Sequence, residues 1–245
     1  MSKTKQNSSR YVVIDQARGF AIVLMFIYHF FFDLNEFRFI DTNFYDSPFW
    51  NNFRLIIVSL FLTLVGISLI LATRKGLNFK RFNQRLLFIL IGAAIVSVSS
   101  YVTFPRSFIY FGILHFIAVA SLLGILFVRF YTANLLLGIL IIVTALLFSH
   151  PLFNPGWLNW IGLATVKPVT EDYVPLFPWF GVVLIGMFLG KAIFIHGHLS
   201  RVTTIQLGNM PGKILSFLGK HSLIAYLLHQ PVFFGLLWVI SQIIS

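Results

Sequence analysis

An all-α, polytopic transmembrane helical bundle of about seven helices is the fold class that this sequence predicts, and three observations carry the prediction. Of 245 residues, 58% are hydrophobic and only 10% charged, where an ordinary soluble domain has roughly 25% charged residues. Mean hydropathy is +0.88. Apolar segments recur along the chain at about the 20-residue length that crosses a bilayer. None alternates with the period of a membrane barrel, and backbone groups in lipid must be bonded internally, so the segments read as helices. Little length remains for a soluble domain, and 1–245 reads as a single integral membrane domain.

The spans are expected near 12–34, 53–73, 86–104, 107–128, 132–149, 175–195 and 221–243. The third and fourth are parted only around Pro105 and Arg106. The leading stretch MSKTKQNSSR is polar and basic, and the apolar run after it is too long and too charged for a cleavable signal, so it reads as a retained start-transfer helix. Lys3, Lys5, Arg10, Arg74, Lys75, Lys80, Arg81, Arg85, Arg129, Lys191, Arg201, Lys213 and Lys220 fall on one side of this arrangement. Arg38, Arg54, Arg106 and Lys167 fall on the other, with most of the acidic residues. The positive-inside rule then puts the N-terminus in the cytoplasm and the C-terminus outside.

Two long outer stretches, 35–52 and 150–174, are rich in aromatics, Pro and Asn. Trp50, Trp157, Trp160 and Trp179 suit an interfacial aromatic belt, or a platform for a sugar or glycolipid. The inner stretch 196–219 reads as a turn-rich linker or short surface helix. Its His196 and His198 form an HxH that suits solvated loop histidines better than a metal site, because no acidic or cysteine partner is near in sequence. The chain has no cysteine, which excludes disulfides, thiolate metal sites and a cysteinyl acyl-enzyme. It also lacks a P-loop, a GxGxxG turn, a GxSxG elbow and HExxH. The net charge of +11 is distributed as membrane topology requires and does not argue for nucleic acid.

The first span, VVIDQARGFAIVLMFIYHFFFDL, carries Asp15, Arg18, His29 and Asp33. At ~100° per residue all four fall in one wedge of the helix. Ionisable groups inside a membrane are costly, face the protein interior or a watery cavity, and mark functional paths. An interfacial Asp15–Arg18 ion pair with His29 and Asp33 at the other end is the plainer alternative. Asp33, four residues after His29, is placed to orient the imidazole so that His29 serves as a general base. The fourth span holds His115 near Gly112, as a hydrogen-bonded structural residue or a pocket group. Asp172 precedes the sixth span, where a carboxylate favours a helix N-terminus. The seventh opens with GKHSLIAYLLHQP. Ser222, Tyr226 and His229 share a face, Pro231 removes a helix hydrogen bond, and Lys220 and His221 stand at the inner mouth.

The stretch RYVVIDQARGFAIVLMFIYHFFFDL resembles the start of bacterial membrane proteins related to heparan-alpha-glucosaminide N-acetyltransferase. FGILHFIAVAS at 111–121, DYVPLFPWFGVVLIG at 172–186 and LGKHSLIAYLLHQP at 218–231 are similar to the same group, in the same order. The spacing of Arg18 and His29 also resembles the Arg–His signature of membrane acyltransferases that modify surface polysaccharides. The resemblance implies a membrane acyltransferase in a bacterial plasma membrane, taking acetyl-CoA or another acyl-CoA as co-substrate from the cytoplasm. It would modify an amine or hydroxyl of a sugar or glycan on the far side, with no metal. It gives Arg18 and His29 roles in acyl-donor handling and catalysis, to which the reading of the residues adds Asp33 as a catalytic group and Lys220, His221 and Ser222 as donor-binding ones. Asp15, His115, Tyr226, His229, Asp172 and Trp179 become pocket-lining candidates. One departure stands out: the lysosomal enzyme places its key histidine after this helix, whereas 35–52 contains none, so His29 takes that place. Membrane lipid is the expected surroundings, and a homo-oligomer stays open. The rival classes are a proton-coupled permease with a polar route along the first helix, for which no inverted repeat is visible, and a structural membrane protein.

Overall fold

The computed structural model describes residues 11–198 and 207–244. The basic stretch 1–10 and the segment containing Arg201 lie outside the described residues. Among the described residues there are eight α-helices and no strand. They are α1 (Val12–Glu36), α2 (Pro48–Thr73), α3 (Phe79–Thr103), α4 (Ile113–Phe127), α5 (Thr132–Leu147), α6 (Leu176–Phe194), α7 (Asn209–Lys220) and α8 (Ser222–Ile244). Helices α1, α2, α3, α6 and α8 are long and apolar enough to cross a membrane, and α4 and α5 are apolar but shorter. The chain is a multi-pass membrane protein.

Three helix starts differ from those expected: α2 begins earlier, at Pro48, and α3 and α4 differ for local reasons. Helix α3 starts at Phe79 because Asn78 caps it, its side chain accepting from the Arg81 N–H at 3.0 Å. Helix α4 starts at Ile113, later than residue 107, because the intervening backbone finds other partners. Ser107 O accepts from Glu171 N–H (3.0 Å), Phe108 O from the Thr170 hydroxyl (2.9 Å), and Ile109 N–H donates to Ser100 Oγ (2.9 Å). The chain clusters into two compact units, residues 1–57 with 197–245, and residues 58–196.

In the second unit, α5 and α6 pack most closely. A Cβ on Gly138 would press on the Gly181 carbonyl, so only glycine admits that approach. One end of this unit is basic. Lys191 of α6 donates to the carbonyl of Arg129 at 2.8 Å, and Tyr131 stacks on Phe188 and meets His196. The α4–α5 turn therefore sits at the level of the α6 C-terminus. Asn134 closes that turn, its amide donating to the carbonyls of Phe130 and Phe127. The other end is held by loop contacts. Tyr110 and Tyr173 both donate to Asn159, at 2.8 and 2.6 Å, and the Ser107 hydroxyl donates to Glu171. Burial, with Tyr110 close by, pushes the Tyr173 phenol up to about 12, so it stays a donor throughout the ordinary pH range.

In the first unit, α7 crosses the N-terminal half of α1. The stretch read as a linker or short surface helix thus contains a helix packed on the first span. Gly19 and Gly219 allow the crossing: a Cβ on either would run into the carbonyl of Leu215 or Asp15 respectively. Gln16 locks it, accepting from Leu207 N–H at 2.9 Å and donating to the carbonyls of Leu207 (2.9 Å) and Gly212 (3.2 Å). Above this crossing α8 runs alongside α1 in the same direction. Phe26 stacks on His229, and Phe30 meets Phe233.

Candidate active site

The polar wedge of α1 divides at its two ends. Toward the N-terminus, Arg18 donates to Asp15 Oδ1 at 3.3 Å, and Asp15 is buried while Arg18 keeps partial exposure. This is the ion pair foreseen as the plainer reading of those residues. Toward the C-terminus, His29 and Asp33 meet α8. The rings of His29 and His229 lie 4.7 Å apart, centroid to centroid. Asp33 is fully buried, and its Oδ1 accepts from Gln230 Nε2 at 2.6 Å. The carboxylate thus has a cross-helix amide as its partner, where the helical spacing had suggested His29. His229 Nδ1 lies 2.5 Å from the carbonyl of Tyr226. A carbonyl only accepts, so Nδ1 carries the hydrogen and Nε2 of the neutral ring presents a lone pair. Pro231 follows two residues on, and α8 continues through it.

Four atoms of this cluster are buried without a hydrogen-bond partner: His29 Nδ1, Asp33 Oδ2, His229 Nε2 and Gln230 Oε1. Among the described residues only Asn134 Oδ1 shares that condition. A buried polar group without a partner costs about 1–3 kcal/mol, so such a concentration at one crossing calls for ordered water or a bound group. Asp33 Oδ2, Gln230 Oε1 and His229 Nε2 are all acceptors. A hydrogen-bond donor, such as water, an amine or a hydroxyl, satisfies them. Gln230 escaped the sequence reading, although it adjoins His229 in the quoted HQP; only the pairing of α8 with α1 shows its role.

At the other end of the same unit, a cavity of about 710 Å³ opens beside the α1–α7 crossing. Gln16, Lys213, Ser216 and Lys220 line it. Lys220 ends α7, and the ring of His221, the residue between α7 and α8, lies 4.7 Å from that of Phe217, tilted against it. Ser222 begins α8, and Tyr226 lies one turn further on, its ring 5.6 Å from that of His229. Lys213 and Ser216 were not singled out from the sequence because 196–219 carries the Gly and Pro content of a loop.

The remaining candidates belong to the second unit. His115 accepts from Gly112 N–H through Nδ1 (3.3 Å), so Nε2 carries the proton and donates to Ser97 Oγ (3.2 Å). The Ser97 hydroxyl in turn donates to Ile109 O (2.6 Å). Both nitrogens of His115 are thereby occupied in holding the start of α4. Asp172 Oδ2 accepts from Ile113 N–H at 2.7 Å. Its carboxylate caps α4, whereas α6, the helix it precedes, has no side-chain cap. Trp179 is half-buried on α6. Among the described residues, no group of three or more His, Cys, Asp or Glu stands close enough to hold a metal ion.

Fold and cluster together define a multi-pass helical membrane protein with buried imidazoles and a carboxylate at the crossing of two spans. Residues 10–231 match the family described as heparan-alpha-glucosaminide N-acetyltransferase, catalytic, and the chain belongs to that family, one of membrane acetyltransferases. No curated protein and no solved structure matches the chain.

Proposed function

We propose that the protein transfers an acetyl group from acetyl-CoA to the amine or hydroxyl of a sugar, with His29 as general base. The single observation that carries this reading is the set of unpartnered acceptors at the α1–α8 crossing. An amino sugar supplies the donors that Asp33 Oδ2, Gln230 Oε1 and His229 Nε2 lack, and the family's own description names a glucosaminide. The donor enters from the cytoplasmic end. Its phosphates meet Lys213, Lys220 and His221, with Ser222 beside them, and Arg18 holds the donor path where it turns onto α1. From Arg18 to His29 is ~16 Å along the helix, at ~1.5 Å per residue, a span that an extended thioester arm covers.

In the reaction the acceptor nitrogen or oxygen attacks the thioester carbonyl. The new C–N or C–O bond forms, the C–S bond breaks, and the acceptor proton passes to His29. The departing thiolate takes a proton and leaves as the free thiol of CoA. Asp33 and Gln230 hold the acceptor, and His229 Nε2 accepts its second donor. No covalent enzyme intermediate is required.

The test uses full-length protein in nanodiscs, isotopically labelled acetyl-CoA and a soluble methyl glucosaminide, read by mass spectrometry. Positioned proton transfer is worth ~10²–10⁴-fold, so His29→Ala should lower turnover by that order while the protein melts normally. Full transfer by a folded His29→Ala protein would remove His29 from the chemistry.

A further inference from the structure

A second cavity, of about 460 Å³, runs along α8 from His221 past His229 to Phe233. Its wall is formed by Phe26, Phe217, Ile224, Leu228, Val232 and Phe233, and its polar side chains are His221 and His229. Ile224, Leu228 and Val232 are each more than half exposed, so in a spanning helix the groove opens sideways to lipid. His229 lines it, more than nine-tenths buried and with no partner for its Nε2. From residue 229 to residue 221 is ~12 Å along the helix axis.

We infer that this groove holds the hydrocarbon chain of a membrane-anchored acceptor, a glycolipid whose sugar occupies the Asp33–Gln230–His29–His229 cluster. The inference rests on the acceptor site of the proposed function and adds how the acceptor is anchored. Three observations select the chain of a lipid. The wall offers no partner for the two amides of a pantetheine arm, and burying such groups unpaired is costly. The opening faces the bilayer, from which a lipid slides in without leaving an apolar phase. His229 of the donor-seeking cluster lines the groove, so a head group held there leaves its tail lying along α8 toward His221. The polar cavity shares only Phe217 with this groove, so Lys213 and Lys220 are left to the donor head, and of the groups proposed to meet it only His221 also lines the groove.

The experiment has two arms on the full chain in nanodiscs. In the first, a dodecyl glucosaminide with a photoreactive diazirine at its chain end is cross-linked and the labelled peptides are identified. The label is expected on Phe217–Ala225. A label spread over the exposed faces of α3 and α5, or displaced by palmitoyl-CoA, overturns the inference, the latter by giving the groove to the donor. This arm reads binding and does not depend on turnover. In the second, turnover of dodecyl and methyl glucosaminides is compared in the wild type and in Leu228→Trp, which fills the groove. Partitioning into lipid raises the dodecyl rate in both proteins alike, so the change in the ratio reports the groove. The ratio should fall at least ~10-fold in Leu228→Trp; an unchanged ratio, with the methyl compound still acetylated, overturns the groove and leaves the acyltransferase intact. Acetylation of neither compound, with cross-links confined to Phe217–Ala225, overturns the acyltransferase and leaves the groove.

Discussion

Asp33 is the residue whose surroundings say most about the site. It lies in a spanning helix, is almost wholly buried, and one of its two oxygens is bonded, to Gln230. Removing one partner of a buried pair leaves the other with its full desolvation cost, whereas removing both can be nearly neutral. Gln230→Leu should therefore destabilise the protein by ~1.5–3 kcal/mol, the range for hydrogen bonds to charged groups. It should also raise the KM for the sugar acceptor. The double variant Asp33→Leu with Gln230→Leu should recover part of the lost stability while remaining inactive. Thermal melts of the three proteins check this, and a double variant less stable than Gln230→Leu would contradict the pairing. The sequence shows which groups α1 brings to one face, because helical period fixes that. It does not show which residue of another helix meets them. His229 was visible as a polar group one turn from Tyr226, but Gln230 was not, since nothing in the spacing of HQP says which side α1 occupies.

At the scale of elements, α7 is where local pattern and tertiary structure part. The segment GNMPGKILSFLGK reads as turn-rich because glycine and proline usually punctuate chains. Here Pro211 sits in the first turn of α7, where its missing N–H costs little, and Gly219 lets α7 touch α1. The same residue type thus carries opposite meanings in a turn and at a helix crossing. Gly219→Val should cost ~1–3 kcal/mol or more, because overpacking forces the backbones apart and a Cβ there meets the Asp15 carbonyl. A methyl group on Gly235 of α8 would meet only open space, so Gly235→Ala should leave stability unchanged or raise it, by up to ~1 kcal/mol from helix propensity. Denaturation midpoints in one detergent check the pair. Equal losses from both substitutions would mean that α7 does not depend on the close crossing.

For the whole molecule the open quantity is how many times the chain crosses. Hydropathy made the long spans legible, because an apolar run of about 20 residues has few other uses. The shorter α4 and α5 are less plain. Their 15 and 16 residues give ~22–24 Å at ~1.5 Å per residue, against a hydrocarbon core of ~30 Å. They are either full crossings aided by their loops or a hairpin that turns back within the membrane. Bonds inside the second unit favour full crossings. Lys191 at the end of α6 holds the Arg129 carbonyl, while Ser107 and Phe108, before α4, are bonded to Glu171 and Thr170, before α6. Helix α4 with its flanking residues therefore covers the same depth as α6. Arg129 also lies at the end that carries Arg74, Lys75, Lys80 and Lys191, as the positive-inside rule requires of a cytoplasmic turn. Because the chain has no cysteine, single substitutions report their own side without background. Lys75→Cys and Arg129→Cys should resist a membrane-impermeant maleimide in intact cells and react after permeabilisation, whereas Val169→Cys, exposed in the long loop, should react at once. If Arg129→Cys reacted as Val169→Cys does, α4 and α5 would form a re-entrant hairpin and the chain would cross five times. An odd count of crossings would survive in either case.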